Sequence, residues 1–240
     1  IQLLQINKKH ILPKYGLKSN HCDFAFVYGQ NDKQYLIDSM GMDKNNIYLS
    51  GYPFLMPNSS SRIHPSSKLA LFISTGLRTV GVIPATINDE KIYYNNIFKE
   101  VSAAGYDLIV KLHPSEDLNL FKTYIQSPKV TFTKDANLAD LTISSDIVLG
   151  EYTTAFFYPI KYYKPIFMIQ SKYFDKYPFD LTDYGIGFNT ELSKLEGVIT
   201  NNKELDMNQR EKYDYFLKKY IGMSNISPYR FFFNTFKEIF

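Results

Sequence analysis

Lys111-Leu112-His113-Pro114-Ser115-Glu116-Asp117, read together with Gly150-Glu151-Tyr152-Thr153-Thr154, decides how this chain folds. Each stretch follows a mostly apolar run, Tyr106-Asp107-Leu108-Ile109-Val110-Lys111-Leu112 and Asp146-Ile147-Val148-Leu149-Gly150. Short apolar runs of this kind read as strands buried in a parallel sheet. Polar side chains then stand just past the carboxyl ends of two strands, where open α/β sheets hold their ligands. A histidine whose backbone is restricted by the next proline, and a Thr pair opening a helix, both suit a phosphate-bearing ligand.

Outward from these two points, strands and helices alternate. Leu69-Ala70-Leu71-Phe72-Ile73-Ser74 reads as a strand, followed by a loop at Thr75-Gly76-Leu77-Arg78. Residues 88–104 carry Ile92, Tyr93, Ile97 and Val101 near helical spacing, with Asn88 as the expected cap and Gly105 as the stop. The spacing predicts further helices over 118–126, 138–143 and 153–163, and strands over 130–133 and 165–169. That alternation implies an α/β fold, a parallel sheet with right-handed crossovers.

Towards the start, residues 23–28 and 47–50 read as short strands flanking a helix over 30–40 that ends at Gly41, with turn chemistry at Gly51-Tyr52-Pro53. Residues 57–67 are polar, proline-bearing and aperiodic, the composition of a linker. After Gln170 the pattern weakens. Residues 171–187 are aromatic and loop-like, 208–220 read as a polar-faced helix, and Ser227-Pro228 introduces a last helix over 229–240.

Composition removes several classes of function. With 45% hydrophobic and 21% charged residues the chain can bury a core and is not disordered. A net charge of +3, dispersed along the sequence, gives no footprint for nucleic acid. Cys22 is the single cysteine, which excludes an internal disulfide and a multi-cysteine zinc site; it reads as a small buried hydrophobe. His10, His21 and His64 lack ligand-like spacing, and Asp180 and Asp183 form no tight acidic motif, so no metal is expected. No apolar run approaches the roughly 20 residues of a membrane span, and no signal peptide is read. A cytoplasmic location is the default expectation, with association at a membrane face left open. The chain starts at Ile1 rather than Met, so a fragment of a longer protein is the expectation.

Several side chains could carry chemistry. His113 can donate to a phosphate oxygen or be satisfied by a neighbouring carbonyl. Thr153 and Thr154 fall at a helix start, where capping and anion binding are compatible. Glu151 is either an acceptor for a ribose hydroxyl or base, or an exposed loop acid. Gly76 permits close approach of backbone, and Arg78 is placed to pair with a diphosphate or carboxylate. This loop is neither a Walker A sequence nor G-x-G-x-x-G. Glu116 and Asp117 read as caps of the next helix.

Taken together, Lys111-Leu112-His113-Pro114-Ser115-Glu116 and the run from Ser145 to Thr154 resemble the donor domain of HP-motif GT-B glycosyltransferases. Bacterial polysialyltransferases and lipooligosaccharide sialyltransferases belong to that group. CDP-glycerol glycerophosphotransferases of teichoic acid and capsule synthesis are similar too, with an acid-Tyr-Ser-Ser motif where this chain has Glu151-Tyr152-Thr153-Thr154. Residues 23–53 resemble the segment leading out of the N-terminal domain of such enzymes.

The resemblance implies a Rossmann-like parallel sheet with flanking helices, a GT-B C-terminal domain with a partial N-terminal domain. Residues 1–56 would end an acceptor-side domain, 57–67 link it, 68–226 bind the donor, and 227–240 form a crossover helix. It implies a glycosyltransferase acting on a nucleotide-activated sugar or polyol phosphate, with CMP-sialic acid or a CDP-linked donor favoured, and on a glycan acceptor. His113 would be the catalytic contact to the nucleotide phosphate. Thr75, Gly76, Arg78, Lys111, Pro114, Glu151, Thr153 and Thr154 would complete the donor site without metal or cofactor. Two departures stand out: a Thr pair replaces the Ser pair, and the family's general base lies in an N-terminal domain mostly outside these 240 residues. A UDP-sugar 2-epimerase-like enzyme on the same fold, and a non-catalytic nucleotide-sugar or glycan-binding module using the aromatic loop 173–184, are the alternatives.

Overall fold

The structure is a computed structural model that describes residues 3–4, 23–51, 68–76, 78–79, 81, 84–151, 153–170 and 181–222. Outside the described residues lie His10, His21, Cys22, His64, Leu77 and Tyr152. So do the Tyr52-Pro53 turn, the linker-like run 57–67, residues 171–180 of the aromatic loop and the segment expected to form the crossover helix. The chain divides into two compact units, Ile1–Pro57 with Glu211–Phe240, and Asn58–Arg210.

In the first unit, β1 (Leu3–Leu4), β2 (Ala25–Val27) and β3 (Ile47–Leu49) pair in parallel, in that order. Helix α1 (Gln30–Met40) connects β2 to β3 and ends at Gly41, as the sequence predicts. Its first turn is held by Asp32, whose buried carboxylate accepts from Gly29 N at 3.3 Å.

The second unit holds a six-stranded, wholly parallel sheet. Its strands are β4 (Leu69–Ile73), β5 (Asp107–Lys111), β6 (Val130–Thr133), β7 (Ile147–Gly150), β8 (Ile166–Ile169) and β9 (Phe188–Thr190). The spatial order is β6-β5-β4-β7-β8-β9. Counted from β4 this is the 3-2-1-4-5-6 order of a Rossmann sheet, so the strand order reverses between β4 and β7. A parallel ladder needs crossover connections, and α2 (Ile87–Ala103), α3 (Leu118–Lys122), α4 (Leu138–Ser144) and α5 (Phe157–Lys161) supply those between β4 and β8, while α6 (Leu195–Asn201) follows β9. β7 and β8 are buried along their whole length, which is why they read as continuous apolar runs rather than alternating ones. On one face of the sheet Tyr94, Ile97 and Val101 of α2 join Phe121, Tyr124 and Leu195 in a single core cluster. Each such side chain contributes about 1.5–3 kcal/mol when fully buried.

Several element ends differ from the sequence reading, each for a local reason. α2 is capped by Thr86 rather than Asn88. Thr86 Oγ1 accepts from Asp89 N at 3.1 Å while the Asp89 carboxylate accepts from Thr86 N at 2.9 Å, a reciprocal box that Asn88 cannot make. α3 stops at Lys122 because the Thr123 hydroxyl takes the Leu120 carbonyl at 2.7 Å. The predicted helix over 153–163 is a 3-10 turn, Thr154–Phe156, followed by the short α5; Pro159 offers no N–H to continue a regular ladder. The sequence reading passed over β9 and α6 altogether. Helix α7 (Met207–Phe216) runs into a π-helical turn, Leu217–Ile221. In the first unit that turn ends at Gly222 (φ 62°), where a Cβ would lie 1.8 Å from the Tyr28 carbonyl oxygen. Only glycine allows that approach.

Candidate functional site

The loops after β4, β5 and β7 meet where the strand order reverses, and they carry most of the residues singled out from the sequence. After β5, residues 113–116 form a tight turn in which Glu116 N donates to His113 O at 3.0 Å, with Pro114 at the position that favours its fixed φ. Glu116 closes the same turn from below. Its carboxylate accepts from His113 N at 2.6 Å and from Ser74 Oγ at 2.6 Å. Ser74, the residue after β4, accepts in turn from Tyr94 OH at 2.8 Å, and Ser74 N donates to Lys111 O. A chain of polar groups from α2 through β4 thus fixes the backbone of the His-Pro loop.

Glu116 is only 2% exposed and turns back to the His-Pro loop, so of the two expected caps Asp117 alone caps α3, accepting from Asn119 N at 2.9 Å. Burial raises the Glu116 carboxyl above the usual carboxylate range, against the hydrogen bonds from Ser74 and His113 N that favour the anion. A second buried acid of α2, Glu90, accepts from Tyr124 OH at 2.7 Å.

The orientation of His113 follows from its neighbours. Nδ1 lies 2.8 Å from Ser115 Oγ and accepts from Ser115 N at 3.2 Å. An accepting Nδ1 puts the proton of the neutral ring on Nε2, where it can be donated from an exposed side chain. Gly76 stands against the other side of the ring: a Cβ there would lie 2.8 Å from His113 Cγ and Nδ1, and its φ of 65° also favours glycine. Gly76 is therefore needed for close approach, here of one loop to another.

Arg78 and Glu151 face each other. They form a bidentate pair, with Arg78 Nη2 2.8 Å and Nη1 3.4 Å from the two carboxylate oxygens. Thr75 Oγ1 donates to the same carboxylate at 3.3 Å, and the guanidinium lies over the Tyr93 ring at 3.9 Å. Glu151 is 2% exposed, and it holds the Arg78 guanidinium charged against the desolvation of burial. Arg78 is thus engaged by an internal acid, and it ties the β4 loop to the β7 loop.

Lys111 is likewise engaged, donating to the carbonyls of Leu112 at 3.3 Å and Lys134 at 2.5 Å. Burial lowers its pKa. Thr153 caps its own turn, accepting from Ala155 N at 3.2 Å, and Thr154 is exposed as the first residue of that turn. The geometry therefore brings Thr75, Gly76, Arg78, Glu151 and the His113-Pro114 turn together at the carboxyl ends of neighbouring strands. Ser74, Glu116, Tyr93 and Tyr94 belong with them, although sequence reasoning passed over them in that role. The signal was present for Ser74, which sits at a strand's carboxyl end; nothing local marks the two tyrosines. Among the described residues no cluster of three or more His, Cys, Asp and Glu side chains could hold a metal ion.

No protein-family model matches the chain, and no curated protein matches it in sequence. Solved structures do match in fold. The wall teichoic acid polymerase TagF, as a variant soaked with CDPG, superposes with a TM-score of 0.60 at 17% identity, over 100% of this chain and 63% of that one. CalG4, the calicheamicin glycosyltransferase, gives 0.59 at 11% identity over 90% and 52%. The Methanocaldococcus jannaschii UDP-GlcNAc 2-epimerase, in complex with UDP-GlcNAc and UDP, gives 0.59 at 13% over 90% and 61%. The fold is therefore the α/β, Rossmann-like fold of GT-B glycosyltransferases. The chain spans about half to two-thirds of the length of these neighbours.

Proposed function

We propose that this chain is the donor-binding part of a transferase that moves a sugar or polyol phosphate from a nucleotide-activated donor to a glycan acceptor. The observation that carries the reading is His113. It is exposed just past the carboxyl end of β5, next to the switch-point strand β4 of a Rossmann sheet, its ring is set by Ser115 and Gly76, and its Nε2–H is available to an anion. The fold shared with TagF and CalG4 supports a transferase, and the CDPG of the TagF soak favours a cytidine donor, CDP-linked or CMP-linked.

On this reading the bond from the donor's activated carbon, or phosphorus, to the leaving phosphate oxygen breaks as an acceptor hydroxyl oxygen bonds to that centre. His113 Nε2–H donates a hydrogen bond to the departing phosphate and stabilises its charge. The hydroxyl proton goes to a general base, which the family resemblance places in the N-terminal domain. Thr153, Thr154 and the backbone N–H groups of their turn supply further donors to the phosphate, and neither metal nor cofactor takes part. The acceptor is a cell-surface glycan, assembled at the inner face of a membrane. Among the described residues no helix is long and apolar enough to cross one.

The test is a thermal-shift series with CMP, CDP, UMP, UDP and GDP, since a ligand bound to the native state raises the melting temperature by mass action. Selective stabilisation by CMP or CDP is expected. A preference for UDP would move the assignment to the epimerase-like chemistry of the third neighbour, and no response to any nucleotide would overturn the donor-site reading.

A further inference from the structure

We propose that Lys134, which lies outside the His-Pro and Glu-Tyr-Thr-Thr stretches, is a positioning residue for His113. The proposal rests on the donor-site reading and adds a fourth loop to that site, the one that leaves β6. Lys134 is the first residue past β6, and β6 is the sheet neighbour of β5, so the two loops leave the sheet side by side. Leu112 N donates to Thr133 O at 2.8 Å, which carries the pairing one step past β5, to the residue before His113.

Two lysines then tie the loops together. Lys111 Nζ donates to the Lys134 carbonyl at 2.5 Å, and Lys134 Nζ returns to donate to the Glu116 carbonyl at 2.9 Å. Each ammonium thus holds the backbone of the other strand's loop. Lys134 is half-buried, so its bond is only partly replaceable by one to water. A bond from an ammonium is charge-assisted, and stronger than one between neutral groups.

The carbonyl that Lys134 takes is the one polar group of Glu116 that the turn itself leaves over. Glu116 N is taken by His113 O, and the two carboxylate oxygens are taken by His113 N and Ser74 Oγ. The Glu116 carbonyl precedes Asp117, the cap of α3, and so stands outside that helix's ladder, which begins with Phe121 N on Asp117 O. With Lys134 in place the last residue of the His-Pro turn is held at its N–H, its side chain and its carbonyl. Ser115, the residue before it, is then kept where its N–H meets His113 Nδ1 at 3.2 Å. That contact leaves the proton of the neutral ring on Nε2, the atom that donates to phosphate on the donor-site reading. Lys134 therefore acts on the ligand through the turn and the imidazole, without touching either the ring or the phosphate itself.

The test compares the full chain with Lys134→Met, which keeps the apolar stem and removes the donor, and with Lys134→Arg, which restores a charged donor. Melting temperatures check that both variants are folded. Nitrogen NMR shifts of the neutral His113 ring report which nitrogen carries the proton, with no ligand needed. The parent is expected to hold it on Nε2, Lys134→Met to share it between the two nitrogens, and Lys134→Arg to return it to Nε2. Calorimetric titration of CDP should give a Kd raised about threefold or more in Lys134→Met. A lysine acting through its charge alone would lose its effect where salt screens it, so the ratio of the two Kd values is measured at about 0.1 M and about 1 M salt. A ratio that persists at high salt is expected of a residue that sets geometry. An unchanged ring in Lys134→Met overturns the proposal whatever happens to affinity, and so does a ratio that falls to one in salt. If the parent itself binds no CDP, the donor-site reading fails, and the position of the ring proton alone decides whether Lys134 sets the turn.

Discussion

A methyl group at residue 76 would meet the His113 ring at 2.8 Å while forcing an L-residue to hold a φ of 65°. Gly76→Ala is therefore expected to cost about 1–2 kcal/mol from the left-handed backbone alone and to displace the imidazole from its place beside Ser115. Chemical denaturation measures the first effect, and the NMR signals of the histidine ring measure the second; an unmoved ring would contradict the assigned contact. The Arg78–Glu151 pair makes a different demand. Removing one partner of a buried pair costs about 3–5 kcal/mol, whereas replacing both by apolar groups of similar volume is often close to neutral. Glu151→Gln should accordingly destabilise more than Arg78→Met combined with Glu151→Leu. If the single variant is the more stable of the two, the pair is not the tie between loops described here. These contacts also mark where the sequence fell short at this scale. His113, Gly76 and Glu151 were legible as residue types at strand ends. That Arg78 is already occupied by Glu151 was not, because the two are far apart in sequence and meet only when β4 and β7 become neighbours.

Among the elements, α2 is where the cap can be tested most simply. Thr86→Ala should cost about 1 kcal/mol of stability, and Asn88→Ala close to nothing. The reverse ranking in a denaturation series would place the helix start at Asn88 after all. Strands were the most legible elements, since β6 follows its apolar β-branched run to the residue and β7 and β8 are marked by unbroken apolar character. Helix ends were less so, for α3 and the turn before α5 are set by a competing threonine hydroxyl and by a proline within the first turn. β9 and α6 escaped notice because β9 is three residues long and α6 carries a glycine at 197, which weakens the local pattern that packing against β8 and β9 restores.

For the molecule as a whole, the buried acid beneath the His-Pro loop couples stability to pH. The Glu116 carboxyl is raised above its ordinary value of 4.5, chiefly by burial. The folded state therefore holds that proton more tightly than the unfolded chain. Its contribution is greatest below the ordinary value and is lost as pH rises through the raised one. Melting temperatures of the parent and Glu116→Gln between about pH 4 and pH 8 should show the parent's margin shrinking as pH rises; a margin that grows would mean the acid is held as its anion. The strand order itself was beyond the sequence, because alternation of strands and helices fixes a parallel sheet but not which strands become neighbours. That order is what puts the loops of β4, β5 and β7 side by side and makes one site of residues spread from 74 to 151. The central claim is that this site binds the phosphate of a nucleotide through His113, and calorimetric titration of CDP into the parent and into His113→Ala tests it most directly. The exposed imidazole leaves the fold unaffected when removed, and loss of a hydrogen bond to a charged phosphate corresponds to about tenfold or more in Kd. A Kd for CDP raised by that factor, at an unchanged melting temperature without ligand, is the predicted result; equal affinity in the two proteins would contradict it.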